Sequence, residues 1–126
     1  MLVLDSGGLS RLAARTKTSV SLIRALTAHE LWPPLVPTMV VVESLYGDAG
    51  RDANTNRFLK TCIIESTVNA DVARRAAELR RRARRGSVVD ALVVAIAEPG
   101  GTVVTGDRAD IEALAAHADR VSVEVI

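Results

Sequence analysis

The chain has 126 residues, of which 48% are hydrophobic and 25% are charged, and its formal net charge at pH 7 is +1. These values are typical of one soluble globular domain that is long enough to bury a core. Aromatic residues make up 2% of the chain, which argues against a nucleic-acid site built on base stacking. The lone Cys62 excludes an intrachain disulfide, and we expect it to be buried because it lies in an apolar run.

The N-terminal residues do not have the pattern of a signal peptide. No basic region precedes the apolar residues 2–4, and Asp5 interrupts them too early. No apolar run approaches the length that crosses a membrane. We therefore expect a cytoplasmic protein with no membrane partner.

Strand-like and helix-like segments alternate along the chain. The predicted strands are residues 2–4, 35–36, 62–64, 102–105 and 121–125. The predicted helices are residues 9–14, 19–31, 39–46 with Thr38 as cap, 54–60, 69 or 70 to 85, 87–97 and 109–116. This alternation predicts parallel strand pairing through right-handed crossovers, with the last strand at an edge. We find no repeat and no linker, and expect a single α/β domain over residues 1–126.

Acidic residues stand where the predicted elements should approach the carboxyl ends of the strands. Asp5 directly follows the first strand, and Asp107 follows strand 102–105 after one glycine. Asp90 lies near the start of a helix that is apolar almost all round, and Glu43 lies on an otherwise apolar helix. In a doubly wound sheet the ends of the first and fourth strands face one crevice, where ligands bind. We therefore expect these four carboxylates to converge.

Each acid also has a purely structural interpretation. Asp5 is a favoured residue for capping the helix that follows it. Ser87 and Asp90 have the spacing of a capping box, and Asp107 and Asp110 have that of a capping pair. Capping and ligand binding do not exclude each other, so both interpretations stay open for any single acid. The set of four favours a ligand site.

Four carboxylates in one crevice would repel one another unless they were protonated or neutralised by a cation. Carboxylate oxygens suit Mg²⁺ or Mn²⁺, whereas His29 and His117 are isolated, so zinc is disfavoured. A divalent ion held in this way can activate water, polarise phosphorus and stabilise a departing oxygen. The acids therefore predict metal-dependent phosphoryl chemistry, with Ser6 and Thr105 orienting ligands or water from beside two of them.

The longest predicted helix carries arginine along its non-core surface, at positions 74, 75, 80, 81, 82, 84 and 85. Glu78 is the only acid near the centre of this helix, so we expect the arginines to lack local ion-pair partners. A solvated face is the plainest interpretation of such a run. The alternatives are a surface that follows a nucleic-acid backbone and a surface that meets an acidic protein partner. The candidate contact residues are Arg81, Arg82, Arg84 and Arg85.

Taken together, these residues resemble the PIN-domain ribonucleases and, within them, the VapC toxins of bacterial toxin–antitoxin pairs. The resemblance is carried by LVLDSGGL at 2–9, VE at 42–43, VDALVVA at 89–95 and TGDRAD at 105–110. None of these motifs is specific to that family by itself, but their order and separation in so short a chain are specific to it. Gly8 stands where many members of the family carry a larger or apolar residue, which leaves the start of the first helix open.

The resemblance implies a three-layer α/β/α fold with a small central, mostly parallel sheet. It implies that Asp5, Glu43, Asp90 and Asp107 form a catalytic acidic quartet that holds Mg²⁺ or Mn²⁺, with Asp110 in a supporting place. It further implies an endoribonuclease that cuts RNA and forms a homodimer. Such a toxin is inhibited by a cognate VapB-type antitoxin, whose tail lies across the acidic pocket.

Other protein classes also place acids at strand ends. A haloacid-dehalogenase-like phosphatase needs a second Asp two residues after the first, where this chain has Gly7. A phosphoacceptor receiver domain needs a lysine after a late strand, and neither Lys17 nor Lys60 lies there. The remaining alternative is a catalytically inactive PIN-like module that binds RNA or protein without cutting. The presence of all four acids favours the enzyme.

Overall fold

The computed structural model of the chain describes all 126 residues, in five strands and seven helices. The strands are β1 (Leu2–Leu4), β2 (Leu35–Pro37), β3 (Ile63–Glu65), β4 (Thr102–Thr105) and β5 (Ser122–Val125). The helices are α1 (Ser6–Ala13), α2 (Lys17–Ala28), α3 (Thr38–Ser44), α4 (Ala53–Leu59), α5 (Ala70–Ala83), α6 (Val88–Ala97) and α7 (Arg108–Ala115). None of these helices is both long enough and apolar enough to cross a membrane.

All five strands pair in parallel in one sheet, in the order β3-β2-β1-β4-β5. The predicted parallel pairing is confirmed, and the helices between successive strands supply the crossovers that parallel strands need. The last strand lies at an edge, as predicted. The chain builds outward from β1 to β3 and then returns to β4, so the strand order reverses between β1 and β4. Open parallel sheets bind their ligands at such a reversal.

Helices cover both faces of the sheet, which confirms the three-layer α/β/α arrangement. α1 packs against α2, α3 and α4 and lies over β1 and β4. α6 packs against α5 and α7 and lies against the same two strands. Because both faces of the sheet are covered, the central strands β1 and β4 consist largely of consecutive apolar residues. Their buried side chains are Leu2, Val3, Leu4, Val103 and Val104.

α1 begins at Ser6, before the predicted start at residue 9, because Asp5 caps it through the amide of Gly8. The first turn of α1 lies very close to β4. A Cβ atom on Gly8 would lie 2.2 Å from the carbonyl oxygen of Val104. A Cβ atom on Gly7 would lie 2.8 Å from the amide nitrogen of Gly106. Glycine is the residue that permits such an approach of two backbones. Gly7 and Gly8 therefore let the first turn of α1 lie directly against the end of β4.

The predicted cap of α3 at Thr38 is wrong. Pro37 holds the cap position with φ −64° and ψ 145°, makes no side-chain cap bond, and leaves Thr38 as the first helical residue. Proline fixes φ near this value. The chain consequently passes from β2 into α3 without an intervening residue.

β3 lies one residue further along the chain than predicted, at the open edge of the sheet. Its side chains Ile63 and Ile64 are exposed, as an edge position allows. Cys62, just before the strand, is half-buried and packs against the core. Burial raises the pKa of its thiol to about 11. The cysteine therefore behaves as a small apolar residue, and its thiol is protonated at neutral pH.

Candidate acidic site at the strand reversal

Asp5 follows β1 directly and is 4% exposed. Its Oδ1 accepts a hydrogen bond of 2.7 Å from the amide of Gly8, so Asp5 is the N-cap of α1. Its Oδ2 accepts a hydrogen bond from the hydroxyl of Thr105 at the end of β4. Asp5 therefore caps a helix and, at the same time, faces the end of the neighbouring strand.

Thr105 connects the acids of the two central strands. Its hydroxyl, which is fully buried, donates to Asp5 and accepts a hydrogen bond of 2.8 Å from the amide of Asp107. Asp107 in turn is the N-cap of α7, and its Oδ1 accepts from the amide of Asp110 at 3.3 Å. Ser6 is half-buried in the first turn of α1, and its side chain makes no hydrogen bond to the acids. Of the two predicted orienting hydroxyls, only that of Thr105 contacts an acid.

Asp90 is held at the start of α6 by a reciprocal capping box. Its Oδ2 accepts a hydrogen bond of 3.0 Å from the amide of Ser87, and the Ser87 hydroxyl accepts one of 3.0 Å from the amide of Asp90. Two bonds to one neighbouring residue fix the direction of the side chain. The half-buried carboxylate is thereby presented at the carboxyl end of the sheet rather than left to rotate in solvent.

Carboxylate oxygens of Asp90, Asp107 and Asp110 lie within 4.8 Å of one another. They come from the first turns of α6 and α7, which pack side by side. The one cation that contacts this group is Arg85, whose Nε donates to Oδ1 of Asp110 at 2.7 Å. Sequence reasoning gave Asp110 only a supporting place and did not pair it with Arg85. The three-residue spacing of Asp107 and Asp110 could have indicated that Asp110 lies beside the other acids.

The pKa values connect Asp5 and Glu43 with this group. Burial raises the pKa of Asp5 above its ordinary value, and the charge of Asp90 adds to the rise, against hydrogen bonds from Thr105 and Gly8. The pKa of Glu43, on α3, is raised first by partial burial of its carboxyl group and then by the charges of Asp90 and Asp5. Glu43 is exposed, and neither Glu43 nor Asp5 belongs to the group of three acids whose oxygens lie within 4.8 Å of one another. We call these five residues, Asp5, Glu43, Asp90, Asp107 and Asp110, the acidic edge.

The donor set of the acidic edge fits a hard divalent cation. Every donor is a carboxylate or hydroxyl oxygen, which is the chemistry that Mg²⁺ and Mn²⁺ prefer. A cation would also offset the repulsion from Asp90, which adds to the effect of burial in raising the pKa of Asp5 and of Glu43. The acids whose oxygens lie close enough together to share one ion are Asp90, Asp107 and Asp110, and the predicted ligands Asp5 and Glu43 are not in that group.

The expectation that the arginines of the long helix lack local ion-pair partners is wrong for three of them, Arg74, Arg75 and Arg82, and Arg85 has a partner on another helix. The pairs join Arg74 to Asp71, Arg75 to Glu78 and Glu98, Arg82 to Glu78, and Arg85 to Asp110. The partners are either one turn away on α5 or on α6 and α7, which are distant in sequence but packed alongside. Arg80, Arg81 and Arg84 have no carboxylate within ion-pair distance.

Comparisons of the sequence with protein-family models and with curated proteins found no match. The functional interpretation therefore depends on the geometry of the acidic edge and on the motifs of the sequence. Thr105 joins Asp5 to Asp107, and carboxylate oxygens of Asp90, Asp107 and Asp110 lie within 4.8 Å of one another. Glu43 is exposed, and it is connected with these acids only through the effect of Asp90 and Asp5 on its pKa.

Proposed function

We propose that this chain is a metal-dependent endoribonuclease of the PIN-domain type, acting as the toxin of a VapC-like toxin–antitoxin pair. One observation carries the proposal. Acids after β1 and β4 and on α6 and α7 lie at the strand reversal, where open parallel sheets bind ligands, and three of them, Asp90, Asp107 and Asp110, have carboxylate oxygens within 4.8 Å of one another. The motifs that resemble the PIN family supply the reaction class.

Asp5, Glu43, Asp90 and Asp107 would hold Mg²⁺ or Mn²⁺, and Asp110 lies beside them. The bound ion would supply Lewis acidity toward a phosphodiester and a water of lowered pKa. The chain's own contribution is to fix the ligands. Thr105 holds Asp5 and the amide of Asp107 in one network, and the capping box aims Asp90. Ligands fixed in this way need little rearrangement when the substrate arrives.

The proposed antitoxin would cover the acidic edge. Large apolar side chains flank the acids in sequence and are exposed, among them Val42 next to Glu43 and Val88 close to Asp90. A peptide crossing the edge could bury these side chains, and basic residues in it could neutralise the acids. We also propose that the protein forms a homodimer and acts on RNA, and both parts rest on the resemblance to the PIN family.

The alternative function is a PIN-like module that binds RNA or protein without cutting it. The ion pair between Arg85 and Asp110 favours this alternative to some degree, because the guanidinium occupies an oxygen that a metal ligand would need. The enzyme and the binding module differ in whether bound RNA is cleaved when a divalent metal is added.

The test is cleavage of a structured RNA by the purified protein with Mg²⁺ or Mn²⁺. We expect cleavage that stops on addition of EDTA. Asp5→Asn and Asp90→Asn should each lower the rate by at least about a hundredfold, since each removes a charged ligand from the acidic edge. Asp71→Asn removes the same charge from an exposed position in the first turn of α5 and should leave the rate unchanged.

Folding of each variant is checked by its thermal unfolding in EDTA. A folded Asp90→Asn variant that cuts RNA as fast as the parent would refute the assignment. A parent that binds RNA and Mn²⁺ but does not cut would favour the binding module.

A further inference from the structure

The C-terminal end of α5 borders an open basic cavity of about 420 Å³ close to the acidic edge. It is lined by Ala77, Arg80, Arg81, Arg84, Arg85 and Gly86, and we call it the arginine cavity. Arg85 belongs to both places, because it lines the cavity and donates to Asp110 of the acidic edge at 2.7 Å. A ligand in the cavity therefore lies beside Arg85, which contacts the acidic edge directly.

The backbone after α5 gives the cavity its shape. Arg84 ends the helix in the left-handed conformation, with φ 55°, and Gly86 follows with φ 94°. A Cβ atom on Gly86 would lie 2.7 Å from Cδ1 of Leu114, so the turn is pressed against α7. The Nε of Arg80 donates to the carbonyl oxygen of Gly86 at 3.2 Å and ties the turn back to the helix. The arginines thus surround a concave space, and the turn behind it is held on α7.

Ion pairing separates the arginines of this region into two groups. Arg82, which does not line the cavity, pairs with Glu78 at 3.0 Å, and Arg85 pairs with Asp110. Arg81 and Arg84 line the cavity, are exposed and have no carboxylate partner. Arg80 also lines the cavity without a carboxylate partner, and its Nε donates to the carbonyl oxygen of Gly86. Three guanidinium groups without a counter-charge in one cavity favour an anion from outside the chain.

We propose that the arginine cavity binds backbone phosphates of the RNA strand that enters the acidic edge, with Arg81 and Arg84 as the principal contacts. The planar guanidinium fork matches a phosphate with two hydrogen bonds. The link through Arg85 places these contacts next to the acids. Two of the chain's few aromatic rings, Trp32 and Phe58, pack edge-to-face on each other, so affinity must come mainly from the backbone. This inference rests on the proposed function for the identity of the ligand.

The test measures RNA binding without cleavage. Fluorescence anisotropy of a labelled single-stranded RNA is followed in EDTA over a range of salt concentrations. The variant carries Arg81→Gln and Arg84→Gln. Its control carries Arg74→Gln and Arg120→Gln, which change the net charge equally at exposed positions outside the cavity.

We expect the cavity variant to bind at least roughly tenfold more weakly than the parent, since it loses charged hydrogen bonds. The slope of log affinity against log salt should fall by about 1.4, which is roughly 0.7 for each of two lost contacts with a single strand. The control should stay close to the parent in both measurements.

Equal losses in the cavity variant and the control would overturn the inference, because they would show a diffuse charge effect. Unchanged RNA binding by the cavity variant, with loss of binding to labelled polyglutamate, would also overturn it in favour of an acidic protein partner. Because the measurement is made in EDTA, its outcome is independent of cleavage. RNA that is bound through the cavity but never cut would refute the proposed enzyme and leave the phosphate site standing.

Discussion

Two aspartates of this chain are almost fully buried, yet their surroundings shift their pKa values in opposite directions. Asp5 is 4% exposed and Asp52 is 3% exposed. Asp52 accepts hydrogen bonds from the amides of Tyr46, Gly47 and Asp48, at 2.9, 2.9 and 3.1 Å. These amides, that of Tyr46 above all, lower the pKa of Asp52, whereas burial raises the pKa of Asp5.

The difference separates a structural acid from a candidate functional one. The bonds of Asp52 all come from the loop after α3, so its charge stabilises that loop and the end of the helix that carries Glu43. Asp5 also has hydrogen-bond donors, but burial and, to a smaller extent, the charge of Asp90 oppose its ionisation. Burial alone does not distinguish the two roles. The direction of the pKa shift does, because it reports whether the folded chain favours the charge or opposes it.

Asp52→Asn should give the larger change in stability. A group whose pKa is lowered on folding contributes stability above its unfolded pKa, and this stability is lost as the pH falls through the folded value. The amide also replaces one acceptor oxygen with a donor that faces backbone N–H groups. We therefore expect a clear loss of unfolding free energy at neutral pH, and a loss that shrinks at about pH 3. Urea unfolding at both pH values measures it; an equal loss at both would show that the charge is not responsible.

Asp5→Asn should give a smaller change of the opposite sign when no metal is present. A group whose pKa is raised on folding costs stability once the pH rises through the folded value. Removing its charge should leave the protein in EDTA at least as stable as the parent at neutral pH, and this advantage should vanish in acid. Thermal unfolding in EDTA tests it. A variant much less stable than the parent at neutral pH would place Asp5 with Asp52, among the structural acids.

The fold could be predicted closely because its determinants are local. Apolar runs of three or four residues between amphipathic segments predict buried parallel strands, and Gly86 and the PGG after Glu98 mark the helix ends. The errors lie where backbone geometry decides. The first turn of α1 needs glycine because a side chain at position 8 would collide with β4, and no local pattern reports the position of that strand.

The candidate site could be predicted only in part, because some of its contacts depend on how distant elements pack. Asp5 and Asp107 follow strands whose order a doubly wound sheet dictates, so their convergence could be expected. The pair between Arg85 and Asp110 joins residues on different helices, and the loop around Asp52 depends on three amides turning inward. Contacts of this kind follow from packing, and neither residue type nor spacing signals them.

Binding of Mn²⁺ at the acidic edge is the property on which the proposed function depends most directly. Electron paramagnetic resonance of free Mn²⁺ measures it during titration with protein, independently of any RNA. We predict binding to the parent, and affinity at least roughly tenfold weaker for Asp90→Asn and for Asp107→Asn, because each loses a charged oxygen ligand. Asp71→Asn should bind as the parent does. Equal Mn²⁺ binding by the parent and both acidic-edge variants would contradict a metal site at the strand reversal.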